Sequence, residues 1–383
     1  GLAHQALKQL PEALDSLTRA LGLVPKLLPA LLARAEILDV MGRPQEALSD
    51  YLAALAIKPD HEQGLKNASG LLVALNRGTE ALELFNKALQ VSPNLLVAKL
   101  GSAWVTSKMV PLWHVPMMNE LHRNDAYYEG IKTATKPGKL VLEIGAGSGL
   151  LSMMAAKLGA SKVVACEAEP LVAKTATEIV KANGFSDTVT ILSKISYDVE
   201  VGKDLPEKAD VLIHEIFDSA IIGEHVLPAL EDAKKRLLKP DALIVPHAAS
   251  IMIALMGGEA AGKYLRVENS NGFDLSHFNS IASKKIPFYR EDIALTPMSA
   301  PVDAFRFDFM NQDSYPVEDK ILELTATAEG PCYGVVQWIR IELDAATTWE
   351  NHPTDIRSTT AWQRTIYRFN QPLQLTKGLI RSE

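Results

Sequence analysis

The sequence predicts a multidomain fold: an α-helical repeat array, then a doubly wound α/β domain, then an antiparallel β domain. A motif recurs every 34 residues near the amino end of this 383-residue chain. Short apolar segments then alternate with helical ones, which is typical of a parallel sheet covered by helices. Beyond Pro246, segments rich in β-branched and aromatic residues indicate antiparallel strands. The predicted domains are 1–106, 107–245 and 246–383.

The amino-terminal repeat combines a Glu-Ala-Leu start, a larger apolar residue and a closing proline. It occurs as Glu12–Pro25, Glu46–Pro59 and Glu80–Pro93. The 34-residue step resembles the tetratricopeptide repeat. Such arrays stack into superhelices whose concave face commonly binds peptides, so we predict a peptide or protein partner there. A rigid spacer or a dimer contact is the alternative. Because residue 1 falls within a first repeat helix, we expect the amino end to be cut.

A glycine-rich turn follows the first predicted strand of the α/β domain, Leu140–Ile144. The glycines are Gly145, Gly147 and Gly149. Their spacing differs from the Gly-x-Gly-x-x-Gly of nicotinamide nucleotide sites. Glu143 just before the turn would repel a pyrophosphate, but it suits a cationic amino group or a sulfonium. Glu167 ends the next strand 20 residues after Gly147, the separation at which an acid binds ribose hydroxyls. A glycine turn in an unrelated α/β fold is the alternative.

Two glutamates mark the end of the fourth predicted strand and the loop after it. Glu215 is the last residue of the strand. Glu224 lies nine residues farther along the chain. Ligands bind at the carboxyl ends of strands in open α/β sheets, and a guanidinium pairs bidentately with carboxylates. Two carboxylates would hold its charge on the nitrogens they bind and leave another nitrogen to attack a methyl group. The alternative is that Glu224 is a solvated loop carboxylate and only Glu215 matters.

These motifs carry a family resemblance. Val141–Ser152 resembles motif I of the S-adenosylmethionine-dependent methyltransferases, whose fold is a Rossmann-like doubly wound sheet. Glu215–Glu224 matches the double-Glu loop of the protein arginine N-methyltransferases, and the resemblance covers roughly 110–370. It implies S-adenosyl-L-methionine as cofactor, an arginine-containing protein substrate, and methyl transfer to a guanidino nitrogen.

The resemblance also implies the roles of individual residues. The catalytic pair is Glu215 and Glu224. The implied cofactor-binding residues are Arg123 at the methionine carboxylate, Glu143, Gly145 and Gly147 at the methionine moiety, Glu167 at the ribose and Ser196 near the adenine. Met117 and Trp362 would line the substrate arginine. The alternatives are a surface arginine at 123 and plain core packing of Met117 and Trp362.

The chain departs from the family pattern at two places, and at one of them Ser196 stands where many members carry Glu. Thr360-Ala361-Trp362 stands where the family usually has Thr-His-Trp, which puts a proton relay through position 361 in doubt. The product could still release its proton to a carboxylate or to water. The family places a β-barrel here with a dimerisation arm, for which Gly257–Ser283 is the candidate. The resemblance implies either a homodimer or a pseudo-dimer from tandem modules, and the sequence leaves the oligomeric state open. Because the chain stops 21 residues past Trp362, we expect an incomplete barrel.

Composition narrows the remaining classes. No apolar run reaches 18 residues, so no membrane span is expected. Two cysteines are too few for a disulfide framework, and no metal site is expected. A net charge of −7 argues against nucleic-acid binding and modestly favours cationic substrates. Since no secretory signal is visible, the cytoplasm is the expected location, with the nucleus as the alternative for a eukaryotic protein.

We therefore predict an S-adenosylmethionine-dependent protein arginine N-methyltransferase with tetratricopeptide repeats. Two alternatives stay open. One is a methyltransferase for another nucleophile, such as a protein amine or a small molecule. The other is a repeat scaffold with a degenerate methyltransferase module, which the alanine at 361 suggests.

Overall fold

The computed structural model describes residues 10–289, 293–355, 360–378 and 380–382. The chain divides into two compact units after Leu112. The helix Leu96–Met109 runs across the boundary predicted between 106 and 107, so that boundary lies inside a helix.

The first unit is helical. Its described helices are Leu10–Leu23, Leu28–Val40, Pro44–Ile57, Glu62–Ala74, Gly78–Val91 and Leu96–Met109. The helices that begin at 10, 44 and 78 are 34 residues apart, as are those that begin at 28, 62 and 96. The structural period therefore equals the period of the sequence motif.

Small and large residues alternate in the core of this unit. The motif alanines Ala13, Ala47 and Ala81 are fully buried, which lets neighbouring helices approach closely. Phe85 is 1% exposed and packs against Gly101, where an added Cβ would collide with its ring. The alanine and the large apolar positions of the motif are thus core positions, as the sequence predicts.

The second unit contains a parallel sheet. Its strands are β1 (Leu140–Ile144), β2 (Lys162–Glu167), β3 (Val189–Ser193), β4 (Ala209–His214) and β5 (Leu238–Val245). They lie in the order β3-β2-β1-β4-β5, with every neighbouring pair parallel. The helices that accompany this sheet are His114–Met118, Leu121–Ala134, Leu150–Lys157, Pro170–Ala182 and Val226–Arg236. The strand order reverses between β1 and β4, the point at which such sheets bind ligands.

An antiparallel sheet follows. Its strands are β6 (Ala248–Gly257), β9 (Lys285–Phe288), β10 (Thr296–Pro297), β11 (Val302–Asp308), β13 (Gly330–Glu342), β14 (Thr348–Glu350) and β15 (Arg364–Leu375). The order is β10-β6-β13-β15-β9, and β11 also pairs with β6 and β14 with β13. The antiparallel prediction is confirmed, whereas the closed barrel that the resemblance implies stays a prediction.

Smaller elements complete this domain. They are the helix Glu259–Leu265, the pair β7 (Asn269–Ser270) and β8 (Phe273–Asp274), the 3-10 helix Ser276–Ser280, and the pair β12 (Glu323–Thr325) and β16 (Ile380–Ser382). The candidate arm Gly257–Ser283 thus holds a short helix and a two-stranded hairpin. The strand predicted over 320–328 is shorter in the structure, where it covers only β12.

Three negative findings concern the described part of the chain. None of its helices is long and apolar enough to cross a membrane. No group of three or more His, Cys, Asp or Glu side chains in it could hold a metal ion. The two cysteines, Cys166 and Cys332, are buried and form no disulfide with each other.

Candidate functional site

The glycine turn lies between β1 and the helix Leu150–Lys157. Gly145, Gly147 and Gly149 have φ angles of 82°, 52° and 77°, in the left-handed region that disfavours other residues. A Cβ added to Gly145 would lie 2.6 Å from the Ile216 side chain, so the turn and the loop after β4 pack closely. The glycines are therefore required both by backbone conformation and by this close approach.

Two predicted cofactor residues flank the turn. Glu143 is 1% exposed, and the Ser152 hydroxyl donates a hydrogen bond to its carboxylate. Burial raises the pKa of Glu143 to about 8, although the Ser152 bond lowers it and the Glu167 charge raises it further. Glu167 accepts hydrogen bonds from the N–H groups of Gly147 and Glu169, both at 2.9 Å. A cationic ligand beside Glu143 would offset the burial of its charge.

Arg123 pairs with protein groups at this site, and its predicted contact with the methionine carboxylate stays a prediction. Its guanidinium forms an ion pair with the Glu215 carboxylate, and its Nη1 donates to the Asn124 side chain at 2.7 Å. The guanidinium carbon lies 4.9 Å from the Tyr127 ring centroid and 5.9 Å from that of Trp362. The Arg123 Nε is buried and has no hydrogen-bond partner among the described residues. One donor therefore stays available for a carboxylate such as that of a bound methionine moiety.

The double-Glu loop begins at the carboxyl end of β4. The Glu215 side chain is 6% exposed, and its burial raises its pKa, while the Arg123 charge and hydrogen bond lower it. Glu224 ends the 3-10 helix Ile222–Glu224, where the residue is accessible to solvent but its carboxylate is partly desolvated by the surrounding loop. Its pKa is also raised, first by burial and then by the charges of Glu215, Asp218 and Glu167. The two catalytic candidates are thus close enough to repel each other electrostatically.

Backbone contacts hold this loop in its conformation. The Asp218 carboxylate accepts hydrogen bonds from the N–H groups of Ala220 and Gly223, each at 3.0 Å. A Cβ at Gly223 would collide with Asp218. Ile221 and His225, on either side, adopt φ angles of 70° and 59°, which non-glycine residues rarely adopt. Strain of this kind is concentrated at functional sites.

Trp362 joins the loop to the β domain. Its side chain is buried, and the indole N–H donates to the Phe217 carbonyl at 2.9 Å. The Gln363 N–H donates to the Ser219 hydroxyl at 3.0 Å. Trp362 therefore lies beside the double-Glu loop, and its contact with a substrate arginine stays a prediction.

The two remaining predicted residues lie near this site in the fold. Met117 is half-buried on the helix His114–Met118, and its carbonyl accepts the Glu120 N–H at 3.2 Å. Ser196 is buried and follows β3, so it lies at the same edge of the sheet as Glu167 and Glu215. Contact of Met117 with substrate and of Ser196 with adenine stay predictions.

Sequence reasoning missed one buried acid. Glu120 is 5% exposed, and neither of its carboxylate oxygens has a hydrogen-bond partner among the described residues. Arg123, Glu215, Thr360 and Ala361 all influence its charge. The available signal was its position three residues before Arg123, which places both on one face at the start of a helix.

The groups at this site fit S-adenosylmethionine. Glu143 is a buried carboxylate that suits its amino group, Arg123 keeps a buried donor for its carboxylate, and Glu167 stands at the tip of the glycine turn, where ribose hydroxyls bind. The fold and the site define an S-adenosylmethionine-dependent methyltransferase.

Comparisons with known proteins agree. The family model of ribosomal protein L11 methyltransferase (PrmA) matches residues 127–246. The chain is 33% identical over 313 residues to an arginine N(omega)-methyltransferase of Streptomyces achromogenes subsp. streptozoticus, covering 81% of this chain and 86% of that protein. It therefore belongs to the arginine N-methyltransferase family.

Two further relatives show the extent of the match. Human protein arginine N-methyltransferase 9 is 35% identical over 205 residues, which is 53% of this chain but only 24% of that protein. The Trypanosoma brucei PRMT1 enzyme–prozyme heterotetrameric complex with AdoHcy has the same fold, with a TM-score of 0.58 and 24% identity over 70% of this chain and 85% of that chain. The chain thus spans most of the bacterial relative and about a quarter of the human one.

Proposed function

We propose that this chain transfers a methyl group from S-adenosylmethionine to a guanidino nitrogen of arginine in a protein substrate. The observation that carries the proposal is the pair Glu215 and Glu224. The Glu215 charge raises the pKa of Glu224, so the two carboxylates repel each other, and the indole of Trp362 is hydrogen-bonded to the loop that carries them. A guanidinium between them would neutralise that repulsion and use its planar, bidentate geometry.

The cofactor, when bound, supplies an electrophilic methyl group. The residues proposed to hold it are Arg123, Glu143, Gly145, Gly147, Glu167 and Ser196. Glu215 and Glu224 would orient the guanidinium and keep its positive charge on the nitrogens they bind. Burial of the Glu215 side chain strengthens this electrostatic effect, because water screens it less.

The helical unit is proposed to be a tetratricopeptide array that recruits the substrate. A cavity of about 410 Å³ lies between its first helices and is lined by both apolar and polar residues, the polar ones including Asp39, Gln63 and Asn67. Asp39 is exposed, so a basic peptide would find an accessible carboxylate there. Asp39→Lys should raise KM for a long arginine-rich peptide and leave KM for a short one unchanged. An equal change for both peptides would refute recruitment.

A second copy of the chain is proposed to cover the arm Gly257–Ser283. Phe273, Phe278 and Ile281 in this arm are 71%, 62% and 77% exposed. Exposed large apolar side chains clustered in one segment commonly mark an interface. Light scattering should give the mass of a dimer, and replacement of the three residues by serine should give a monomer. A monomeric wild-type chain would refute this part.

Two other substrate classes have specific support. The L11 methyltransferase model matches the cofactor domain, which favours a protein amine as the acceptor. The bacterial relative carries the name of arginine without mention of a protein, which favours the free amino acid. Both classes accept a methyl group from the same cofactor.

One experiment separates these functions. The protein is incubated with isotope-labelled S-adenosylmethionine and an arginine-rich peptide, its Arg→Lys twin, or free arginine, and products are identified by fragmentation. Label on the arginine peptide alone is expected. Label on the lysine twin would support an amine, and label on free arginine alone would support a small-molecule enzyme. No label, with cofactor binding intact, would favour the scaffold.

A further inference from the structure

Glu120 is a buried acid without an assigned role. It directly precedes the helix Leu121–Ala134 and is 5% exposed. Neither carboxylate oxygen has a hydrogen-bond partner in the described parts of the chain. Buried polar groups are nearly always hydrogen-bonded, and an exception suggests a functional constraint.

Glu120 lies among residues of the proposed arginine-binding site. The charges that face it are Arg123, from the following helix, and Glu215, from the loop after β4. The Thr360 hydroxyl and the Ala361 backbone approach from the segment before β15 without completing a hydrogen bond to either oxygen. Glu120 therefore lies between the carboxylate predicted to hold the substrate and the place where the family histidine is missing.

Arginine methylation requires a group that accepts a proton. The nitrogen–carbon bond forms as the sulfur–carbon bond breaks, and the electron pair of the broken bond stays on sulfur. The product guanidinium keeps a single positive charge only if one N–H proton leaves the methylated nitrogen. Ala361 cannot accept this proton, because its side chain is a methyl group.

We propose that Glu120 accepts this proton in place of the imidazole that position 361 lacks, an inference that rests on the proposed arginine methylation. The proton moves from the guanidino nitrogen to a Glu120 carboxylate oxygen and is later released to water. The neutral acid that forms suits a buried site in which neither carboxylate oxygen has a hydrogen-bond partner among the described residues. Glu215 and Glu224 are less suited, because a carboxylate that holds the guanidinium must stay ionised.

The ionisation of Glu120 agrees with this role. Burial raises its pKa to about 7, the Arg123 charge lowers it, and the Glu215 charge raises it again. General bases work best when their pKa lies near the working pH. Because only the ionised form accepts a proton, kcat should rise as pH increases through about 7 and then level off.

The test compares Glu120→Gln with Glu129→Gln, an exposed position on the following helix that forms a surface ion pair with Lys132. The kcat for the arginine peptide is measured from pH 5.5 to 9, together with KM and the Kd for S-adenosylhomocysteine. Glu120→Gln should lower kcat by about 100-fold and abolish the inflection. Its KM and Kd should change by less than about 3-fold, while Glu129→Gln should match wild type throughout.

Several outcomes would overturn the proposal. A Glu120→Gln enzyme that keeps its kcat or its inflection would do so, as would a loss confined to KM or Kd, which indicates a structural role. If Glu120→Gln does not fold, Glu120→Asp should retain part of the rate with a shifted inflection, and an unchanged profile would contradict the proposal. If the wild-type protein labels no arginine, the proposed function is overturned as well. If wild type and Glu120→Gln label arginine at equal rates, only this inference is overturned.

Discussion

The two units treat buried carboxylates in opposite ways. In the helical unit, Asp50 is 6% exposed, and both of its oxygens accept hydrogen bonds from Arg34, at 2.7 and 2.8 Å. In the second unit, Glu143 is 1% exposed and accepts from the Ser152 hydroxyl, a neutral donor, and Glu120 has no hydrogen-bond partner among the described residues. The helical unit thus compensates its buried charge internally. At the site, Glu215 is paired with Arg123, whereas Glu143 and Glu120 have no ion-pair partner among the described residues, and a ligand or a proton would supply the compensation.

The largest expected effect concerns Glu215, which together with Glu224 is proposed to hold the substrate guanidinium. Glu215→Gln keeps the shape of the side chain but removes the charge that would hold the guanidinium, so methyl transfer should fall by about 100- to 1,000-fold. Initial rates with the arginine peptide measure this loss, and S-adenosylhomocysteine binding checks the fold. Glu178→Gln, on an exposed face of the helix Pro170–Ala182, serves as the matched control. A fully active Glu215→Gln enzyme would refute the proposal that the Glu215 charge holds the guanidinium.

The second prediction tests whether the buried charge of Glu143 destabilises the ligand-free protein. Because burial raises its pKa from 4.5 to about 8, the folded state binds a proton more tightly than the unfolded state. Stability of the ligand-free protein therefore falls as pH rises between these two values. Glu143→Gln should stabilise the ligand-free protein by about 2–4 kcal/mol at pH 8, since each pKa unit corresponds to about 1.4 kcal/mol. The gain should shrink by at least half at about pH 5.5.

The same variant should lose affinity for the cofactor. Without the Glu143 charge, the Kd for S-adenosylmethionine should rise by about 10- to 100-fold, because hydrogen bonds between charged groups contribute about 1.5–3 kcal/mol. Thermal melts at the two pH values and calorimetric titration measure the two effects. A variant that is less stable than wild type at pH 8 would contradict the buried, uncompensated charge of Glu143. A variant that binds cofactor normally would show that the cofactor does not pair with this charge.

The third prediction is a loss of stability, opposite to the gain expected for Glu143→Gln. Asp50→Asn removes a compensated charge and leaves the Arg34 guanidinium, 24% exposed, without its carboxylate. The helical unit should lose about 1–2 kcal/mol of stability, because the pair is partly screened by solvent. Urea unfolding at pH 7 measures this change, and cofactor binding should stay at the wild-type level. A stabilised Asp50→Asn protein would remove the contrast between the two units.

The smallest effect is expected at Trp362. Trp362→Phe keeps an aromatic wall but removes the indole hydrogen bond to the Phe217 carbonyl. KM for the arginine peptide should rise by about 5-fold, corresponding to about 1 kcal/mol. Steady-state kinetics measure the change, with cofactor Kd as the control. A variant that alters cofactor Kd and leaves peptide KM unchanged would place Trp362 outside the proposed arginine-binding site.

The sequence by itself determined the features that depend on local pattern. The 34-residue period places the helices of the first unit, and the apolar runs place β1 to β5 within a few residues. The glycine turn and Glu143 could be recognised because a left-handed turn and an acid after a buried strand each restrict the residue type at one position.

Only the tertiary structure decided which distant residues meet. Arg123 and Glu215 are 92 residues apart in the chain, and Trp362 and Phe217 are 145 apart. The buried position of Glu120 beside Ala361 likewise depends on contact between the start of a helix and a segment before β15. No local pattern encodes these contacts, because burial and the loss of hydration arise only when the sheet, the helix and the β domain pack together.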